Sequence, residues 1–422
     1  MFILVASSPD VGRIRMILVL GALVALGPLT IDMYLPALPR IADELSVSSS
    51  VAQLTLTGTL AGLALGQLIV GPLSDSLGRR RPLMAGIVLH MVASVLCVLA
   101  PDIAVLGVAR GLQGMGAAAA SVVAVAVVGD LFTGTVAATV MSRLMLVLGV
   151  APVLAPSLGA AVLLHGSWHW VFVALVVVAG GLLAMAALAL PETLPVSHRR
   201  PLAVRGIVGT YVELLRDSRF VILVLVAALG MSGLFAYISA APFVLQGRFG
   251  LDQQAFALVF AAGAIALIGS TQFNVVLLRR FSPQAITVAA LSWSVVAGVV
   301  FVGLTVAHVD GLAAFVVPVL AILAGMGLVL PNAPAVALSR HPDAAGTAAA
   351  LLGATQFGLG AAVAPAIGTL GNGALALAAV MTAGMAVALA ALLLVGLRND
   401  DEPAEYQDDA FDVAVEAVAE SA

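Results

Sequence analysis

Long apolar runs separated by short clusters of Arg, Asp, Gly and Pro dominate the chain, and they predict membrane-spanning helices. The runs occupy 14–38, 51–73, 83–100, 103–131, 142–165, 170–190, 219–246, 253–278, 284–307, 311–338, 345–370 and 373–397, twelve in all. A helix needs roughly 20 apolar residues to cross the hydrocarbon core, and these runs supply about that many. The dyad alternation that marks the strands of a membrane barrel is absent. The longest connection, 191–218, carries PETLP and HRR and then Val204, Ile207, Val208, Val212 and Leu215 on one helical face. It reads as a cytoplasmic linker with a surface helix, and it divides the spans six and six.

The two sets of six echo each other. Pro36 corresponds to Pro242, Gly114-Met115-Gly116 to Gly325-Met326-Gly327, and Ala155-Pro156 with Gly159 to Ala364-Pro365 with Gly368, at offsets of 206, 211 and 209. Three echoes in one order at nearly one offset predict duplication of a six-helix unit. The expected division is a bundle over 1–190, the linker over 191–218, a second bundle over 219–399 and an acidic tail over 400–422.

Composition agrees with the pattern: 62% of the 422 residues are hydrophobic, 9% are charged, and mean hydropathy is +1.15. An all-α integral membrane protein is the expected class. The lone Cys97 provides neither a disulfide framework nor a thiol cluster. Nine of the 22 acidic residues lie in 400–422, whose composition reads as a solvated, disordered tail; the remainder carries a net +5. Every basic residue is Arg. With both termini cytoplasmic, fifteen arginines fall on inner segments and only Arg40 and Arg248 on outer ones, a strong positive-inside bias. Arg13 and Arg15 precede a first run too long for a secretory leader and without a clear small-x-small cleavage site, so that run reads as an uncleaved helix.

Asp32, within LTIDMYLPALP, is a carboxylate deep in the first span, and Arg110 is a guanidinium in the fourth. Counting inward from Pro39 and from Ile103, each lies seven residues in, roughly 10 Å deep at 1.5 Å per residue. Intramembrane charges face a cavity or a partner, so a pair, direct or through water, is expected. An ion pair that only locks two helices is the competing reading. Tyr34, Gln113, Tyr237, Gln272, Asn332 and Gln356 are polar or aromatic positions within spans and are candidates for a substrate cavity, along with the broken segment Pro331-Asn332-Ala333-Pro334. His90 reads as packed or hydrogen-bonded, and His165 with His169 as loop residues without a third metal ligand. Gly58, Gly62 and Gly66, four apart, read as a packing face. No nucleophile elbow, Walker loop or HExxH occurs, so no enzyme activity, cofactor, metal or nucleic acid is indicated.

The loop GPLSDSLGRRRP, Gly71 to Pro82, resembles the signature loop of the major facilitator superfamily. ARGLQGMGAAAAS, Ala109 to Ser121, is similar to the fourth-helix motif of drug:proton antiporters. Pro152 to Gly159 is similar to their fifth-helix motif, with Ala155 and Ala160 at positions where that motif prefers Gly. TIDMYLPALP, SWHWVF, PETLP and LSRHPDAAGTAAAL together look like the Bcr/CflA drug-resistance subfamily, a resemblance covering nearly the whole chain outside the tail.

The resemblance implies twelve transmembrane helices in two pseudo-symmetric six-helix bundles and a monomer of the inner (plasma) membrane. By alternating access it would export lipophilic drugs, amphenicol- or bicyclomycin-like, in exchange for protons. Asp32 would be the proton-coupling site and Arg110 its partner. Gly71, Asp75, Gly78, Arg79 and Asp130 would form a cytoplasmic gate, Asp75 meeting the amino end of the eleventh span near Gly346 and Arg79 pairing with Asp130. Pro152, Pro156 and Gly159 would be the antiporter-motif helix. Some multidrug relatives carry a second acid where this chain has Val24, which favours neutral or monovalent substrates here. A metabolite exporter or uniporter of the same superfamily is the alternative, and a membrane scaffold or receptor is a reading from another class.

Overall fold

The computed structural model describes residues 9–132, 134–164, 166–199, 204–341, 344–371 and 373–396. The acidic tail, His165 and part of the HRR cluster lie outside them. The helices are α1 (Pro9–Asp32), α2 (Leu38–Glu44), α3 (Ser49–Leu77), α4 (Arg80–Val98), α5 (Ile103–Leu131), α6 (Gly134–Leu163), α7 (His169–Ala189), α8 (Val204–Arg216), α9 (Ser218–Pro242), α10 (Gln253–Leu277), α11 (Pro283–Val306), α12 (Leu312–Leu338), α13 (Ala345–Thr369) and α14 (Ala374–Gly396). Twelve spans among the described residues are long and apolar enough to cross a membrane, and the protein is a multi-pass membrane protein.

The first span differs from the expected 14–38. It runs over Arg15–Glu44 and is broken in the middle. α1 ends at Asp32, a turn and a 3-10 stretch (Leu35–Ala37) follow, and α2 completes the crossing. Pro36 and Pro39 supply no N–H groups, so a continuous α-helical ladder cannot form there. The span thus ends at Glu44, beyond the Pro39 from which its depth is counted. The seventh span is also interrupted: α9 ends at Pro242, and a π turn over Phe243–Arg248 follows. The echo of Pro36 in Pro242 is thus an echo of broken first helices.

α3, α4, α5, α6, α7 and α1 pack as one group, and α9 to α14 as another. Each group is centred on a helix that carries the Gly-Met-Gly echo. On α5, a side chain at Gly114 would collide with the Thr59 carbonyl of α3, and one at Gly116 with the Gly86 backbone of α4. On α12, Gly325 meets Ser294 and Ala290 of α11, and Gly327 meets the Leu267 carbonyl of α10. In both groups one glycine receives the second helix and the other the third. Gly58 and Gly62 return the contact from α3, their Cβ positions lying on the Gly107 and Gly111 carbonyls. Without a hydrophobic driving force between helices in lipid, backbone approach of this kind is what holds them. The groups meet along α3 with α13 and α6 with α10.

Two other prolines leave carbonyls without helical partners, and neighbouring helices satisfy them. Pro72 cannot donate to Leu68, and the Tyr211 hydroxyl of α8 donates to that carbonyl at 3.4 Å. Pro331 likewise releases the Gly327 carbonyl, which accepts from the Thr271 hydroxyl at 2.7 Å. α8 follows the PETLP segment, with Leu214 buried and Val208, Val212 and Leu215 exposed.

Gly114→Val should lower the thermal midpoint and the monodisperse fraction in detergent, overpacking of this kind costing about 1–3 kcal/mol. Gly129→Ala, where an added Cβ meets nothing within 4 Å, should leave both unchanged.

Candidate functional site

The break after α1 sets Asp32 and Tyr34 in the interior of the first group, where both are buried. Arg110 is completely buried on α5 opposite them. Its guanidinium carbon stands 3.9 Å above the Tyr34 ring and 5.7 Å from the centre of Phe172, both within cation–π range. Nη1 donates to Gln113 Oε1 at 2.5 Å. Asp32 and Arg110 feel each other's charge, but they form no ion pair within 4.0 Å. Of the pair expected, direct or through water, the direct form is absent: the guanidinium is stacked on Tyr34 and tied along its own helix. Asp32 Oδ1 and Arg110 Nε and Nη2 are left buried without hydrogen-bond partners among the described residues.

SWHWVF builds the wall behind this pair. Trp168 is buried, donates from Nε1 to Glu44 on α2 at 2.9 Å, and meets Phe172 edge-on at 5.9 Å. Gly159 of α6 fits against the break itself, since a Cβ there would collide with the Met33 carbonyl. Pro152 and Pro156 lie within the same helix. Ala155 and Ala160, in place of the motif's glycines, are both buried.

A polar network extends from Arg110 to the α1 backbone. Gln113 Nε2 donates to Ser94 Oγ at 2.7 Å, and Ser94 Oγ donates to the His90 carbonyl at 2.7 Å. Thr30 gives its single proton to the Leu26 carbonyl at 2.6 Å, so the 2.8 Å contact between Thr30 Oγ1 and His90 Nε2 requires His90 to donate from Nε2. His90 is therefore a hydrogen-bonded residue of the interior, as expected, and its tautomer is set by Thr30.

The other cavity candidates do not gather here. Asn332 exchanges amide hydrogen bonds with Asn274 at 2.7 and 3.4 Å, which ties α12 to α10 and leaves its amide committed to a neighbour. Tyr237 is stacked on Phe260 at 5.2 Å in the second group. Gln356 is half-buried on α13, and Gln272 is exposed on α10. Asn274 escaped the sequence reading, though a second lone amide in a neighbouring apolar run is the signal that pairs with Asn332.

On the face carrying the arginine loop, Arg79 grips Asp130 through Nε (2.9 Å) and Nη2 (3.2 Å), and Nη1 reaches Asp75 (2.5 Å) and Ser74 (2.9 Å). The structure thus pairs Asp75 with Arg79, one turn away, and among the described residues no hydrogen bond joins it to Gly346 at the amino end of α13. Gly78 is left-handed (φ +87°), and a Cβ there would strike Glu192 and Arg199; at Gly71 a Cβ meets nothing. Glu192, from PETLP, accepts the backbone N–H groups of Arg79 (2.8 Å) and Arg80 (3.3 Å) at the start of α4. Burial pushes its carboxyl up, but these bonds, one from the Leu194 N–H and the Arg199 charge outweigh that and hold it below the usual range. Asp217 does the same for α9, capping it through Arg219 and Phe220 while receiving Arg340 (3.3 Å) and His341 (2.9 Å). On the opposite face the bonds that join the groups include Gln53 Nε2 to the Ser239 carbonyl (3.1 Å), Gln246 Nε2 to the Pro36 carbonyl (3.3 Å) and Ser50 Oγ to the Gly368 carbonyl (2.9 Å).

Residues 18–365 match the family model described as Major Facilitator Superfamily. The chain belongs to the major facilitator superfamily. It is a transporter, not an enzyme. It is 38% identical to "Uncharacterized MFS-type transporter YdgK" of Bacillus subtilis, the match covering 87% of this chain and 92% of that one. It is 32% identical to a "Chloramphenicol resistance protein" of Pseudomonas aeruginosa (84% and 83% covered) and 30% identical to a "Bicyclomycin resistance protein homolog" of Haemophilus influenzae (82% and 86%). These relatives bear out the likeness to Bcr/CflA-type transporters. Among solved structures, the human organic anion transporter MFSD10 superposes with a TM-score of 0.70 at 18% identity, covering 92% of this chain and all of that one, a likeness of fold.

Two of the carboxylates at helix starts, Glu192 and Asp217, give a signed pH dependence. Both Glu192 and Asp217 are held below their ordinary values of 4.5 and 3.8, so their stabilisation is complete above those values and is lost as pH falls through the lower folded ones. Thermal unfolding in detergent should show a midpoint that drops on acidification below those ordinary values. Glu192→Gln with Asp217→Asn should flatten that drop.

Proposed function

We propose that this transporter exports lipophilic drugs, amphenicol- or bicyclomycin-like, across the inner membrane in exchange for protons, with Asp32 as the coupling site and Arg110 as its partner. The observation that carries the reading is the set of unpartnered buried atoms on facing groups: an Asp32 oxygen and two Arg110 nitrogens. A buried acid without a bond is held ready for a proton or for a polar or cationic group of a substrate, and competition between the two for one carboxylate gives exchange. The drug-resistance names of the relatives support the substrate class. Val24, apolar and buried, adds no second acid on α1, which favours neutral and monovalent substrates.

In this reading the bundles over 1–190 and 219–399 rock about the α3–α13 and α6–α10 contacts, with the linker over 191–218 between them. Gly71, Asp75, Gly78, Arg79 and Asp130 act as the cytoplasmic gate, and Pro152, Pro156 and Gly159 keep α6 against the α1 break. Both termini are cytoplasmic, as the arginine distribution favours, and the unit is a monomer. Tyr34 and Gln113 border the coupling site; Tyr237 and Gln356 belong to the substrate path in the second bundle.

In proteoliposomes, Asp32→Asn should abolish substrate accumulation driven by an imposed proton gradient while leaving downhill movement. Arg110→Ala should lose coupling, and Arg110→Lys should keep part of it, an ammonium replacing the charge but not the planar stack on Tyr34. An Asp32→Asn variant that still concentrates drug refutes the assignment.

A further inference from the structure

One turn of α4, His90 to Ser94, is hydrogen-bonded both to the helix that carries the acid and, through Gln113, to the helix that carries the guanidinium. Its hydrogen bonds run in one direction. Arg110 Nη1 donates to Gln113, Gln113 to Ser94, Ser94 to the His90 carbonyl, and His90 Nε2 to Thr30, two residues before Asp32. Thr30 passes its own proton to the Leu26 carbonyl, so no member of the chain can reverse its role without leaving a buried polar atom unsatisfied. His90, Ser94, Gln113, Thr30 and Arg110 are all buried, and no described member of the chain lies at a surface where water could substitute.

The imidazole therefore grips α1 from one end of the turn, while the Ser94 hydroxyl grips Gln113 and, through it, Arg110 from the other. α4 is fixed against α5 by Gly86 and Gly116, whose Cβ positions would overlap the opposing helix. The turn cannot slide to relax either grip. We infer that His90 and Ser94 are positioning residues that clamp α1 to Arg110, holding the guanidinium on Gln113 and Tyr34 and off the Asp32 carboxylate. Neither residue touches the proton or the substrate. Their effect is to set how strongly the charge of Arg110 bears on Asp32. The inference rests on Asp32 being the coupling acid.

The titratable and charged groups around this turn are few. α1 and the turn after it contribute Asp32 and Tyr34, α5 contributes Arg110, and α4 itself contributes Cys97 besides His90; the charged or titratable residues of α3, α6 and α7 are Asp75, Arg143 and His169, in the end portions of those helices. A change in pH dependence on breaking the clamp is therefore referable to the Asp32–Arg110 relation.

The test is ethidium–proton exchange by the full-length protein in proteoliposomes, measured as rate against pH. His90→Leu breaks the grip on α1, and Ser94→Ala breaks the grip on Gln113. Each should move the midpoint of the profile toward lower pH by about one unit, because a guanidinium free to approach a carboxylate favours its ionised form. The double variant should move it no further, since either break opens the same chain. His90→Gln, which keeps an N–H donor, should restore the midpoint. Should His90→Leu fail to fold, the nearly isosteric Thr30→Val removes the same bond and should give the same shift. Unchanged midpoints with lower maximal rates, or shifts that add in the double variant, would overturn the clamp while leaving Asp32 as the coupling site. A wild-type protein with no proton-dependent exchange would overturn both.

Discussion

A carboxylate and a guanidinium inside one apolar bundle pull toward each other, and the first half of this transporter is arranged around keeping them near but unbonded. At an effective dielectric of about 20, opposite charges 4 Å apart attract by about 4 kcal/mol. Against that stand a charge-assisted bond from Arg110 to Gln113, about 1.5–3 kcal/mol by type, and a desolvated stack on Tyr34, about 2 kcal/mol. The two sides are close enough in size that neither wins by a wide margin. An arrangement balanced in this way can be tipped by a proton or a substrate on Asp32, whereas a direct ion pair would have to be broken first.

Broken helices make that balance possible. Pro36 and Pro39 end α1 at the acid and turn the chain so that Tyr34 lies under Arg110. Gly159 lets α6 close over the break by tolerating contact with the Met33 carbonyl. The bonds across the face remote from the arginine loop then reach the segments around the two breaks: Gln246 donates to Pro36, and Gln53 donates to Ser239 just before Pro242. The positions that disrupt the first helix of each half are thus also where the halves are joined on that side, so the acid is covered there while these contacts hold. At the opposite face Arg79, Asp130, Asp75 and Glu192 bind loop, helix ends and linker into one unit within the first half.

What the sequence made legible was whatever leaves a periodic or costly trace. Twelve spans follow from apolar runs, the repeat from its Pro and Gly echoes, and Asp32 and Arg110 from the expense of charge in lipid. Other features have no such trace. That Arg110 stacks on Tyr34 instead of bonding Asp32 depends on where the α1 break points the ring. The fate of Asn332 depended on Asn274, an amide that looks ordinary until α10 and α12 are set side by side. Glu192 lay in plain view in PETLP, but its role follows from a helix start more than a hundred residues earlier in the chain. His90 read as a packed or hydrogen-bonded residue, and its common task with Ser94 depends on the direction of each hydrogen bond.

Under the proposed function, Asp32 exchanges a proton for drug at one site. The most direct measurement is proton release on drug binding to the detergent-solubilised protein in weakly buffered solution, followed by a pH-sensitive dye. Drug binding should release protons at a pH where Asp32 is protonated, and Asp32→Asn should bind a neutral drug without releasing any. Saturable drug binding to the wild-type protein with no proton release across the pH range would contradict it.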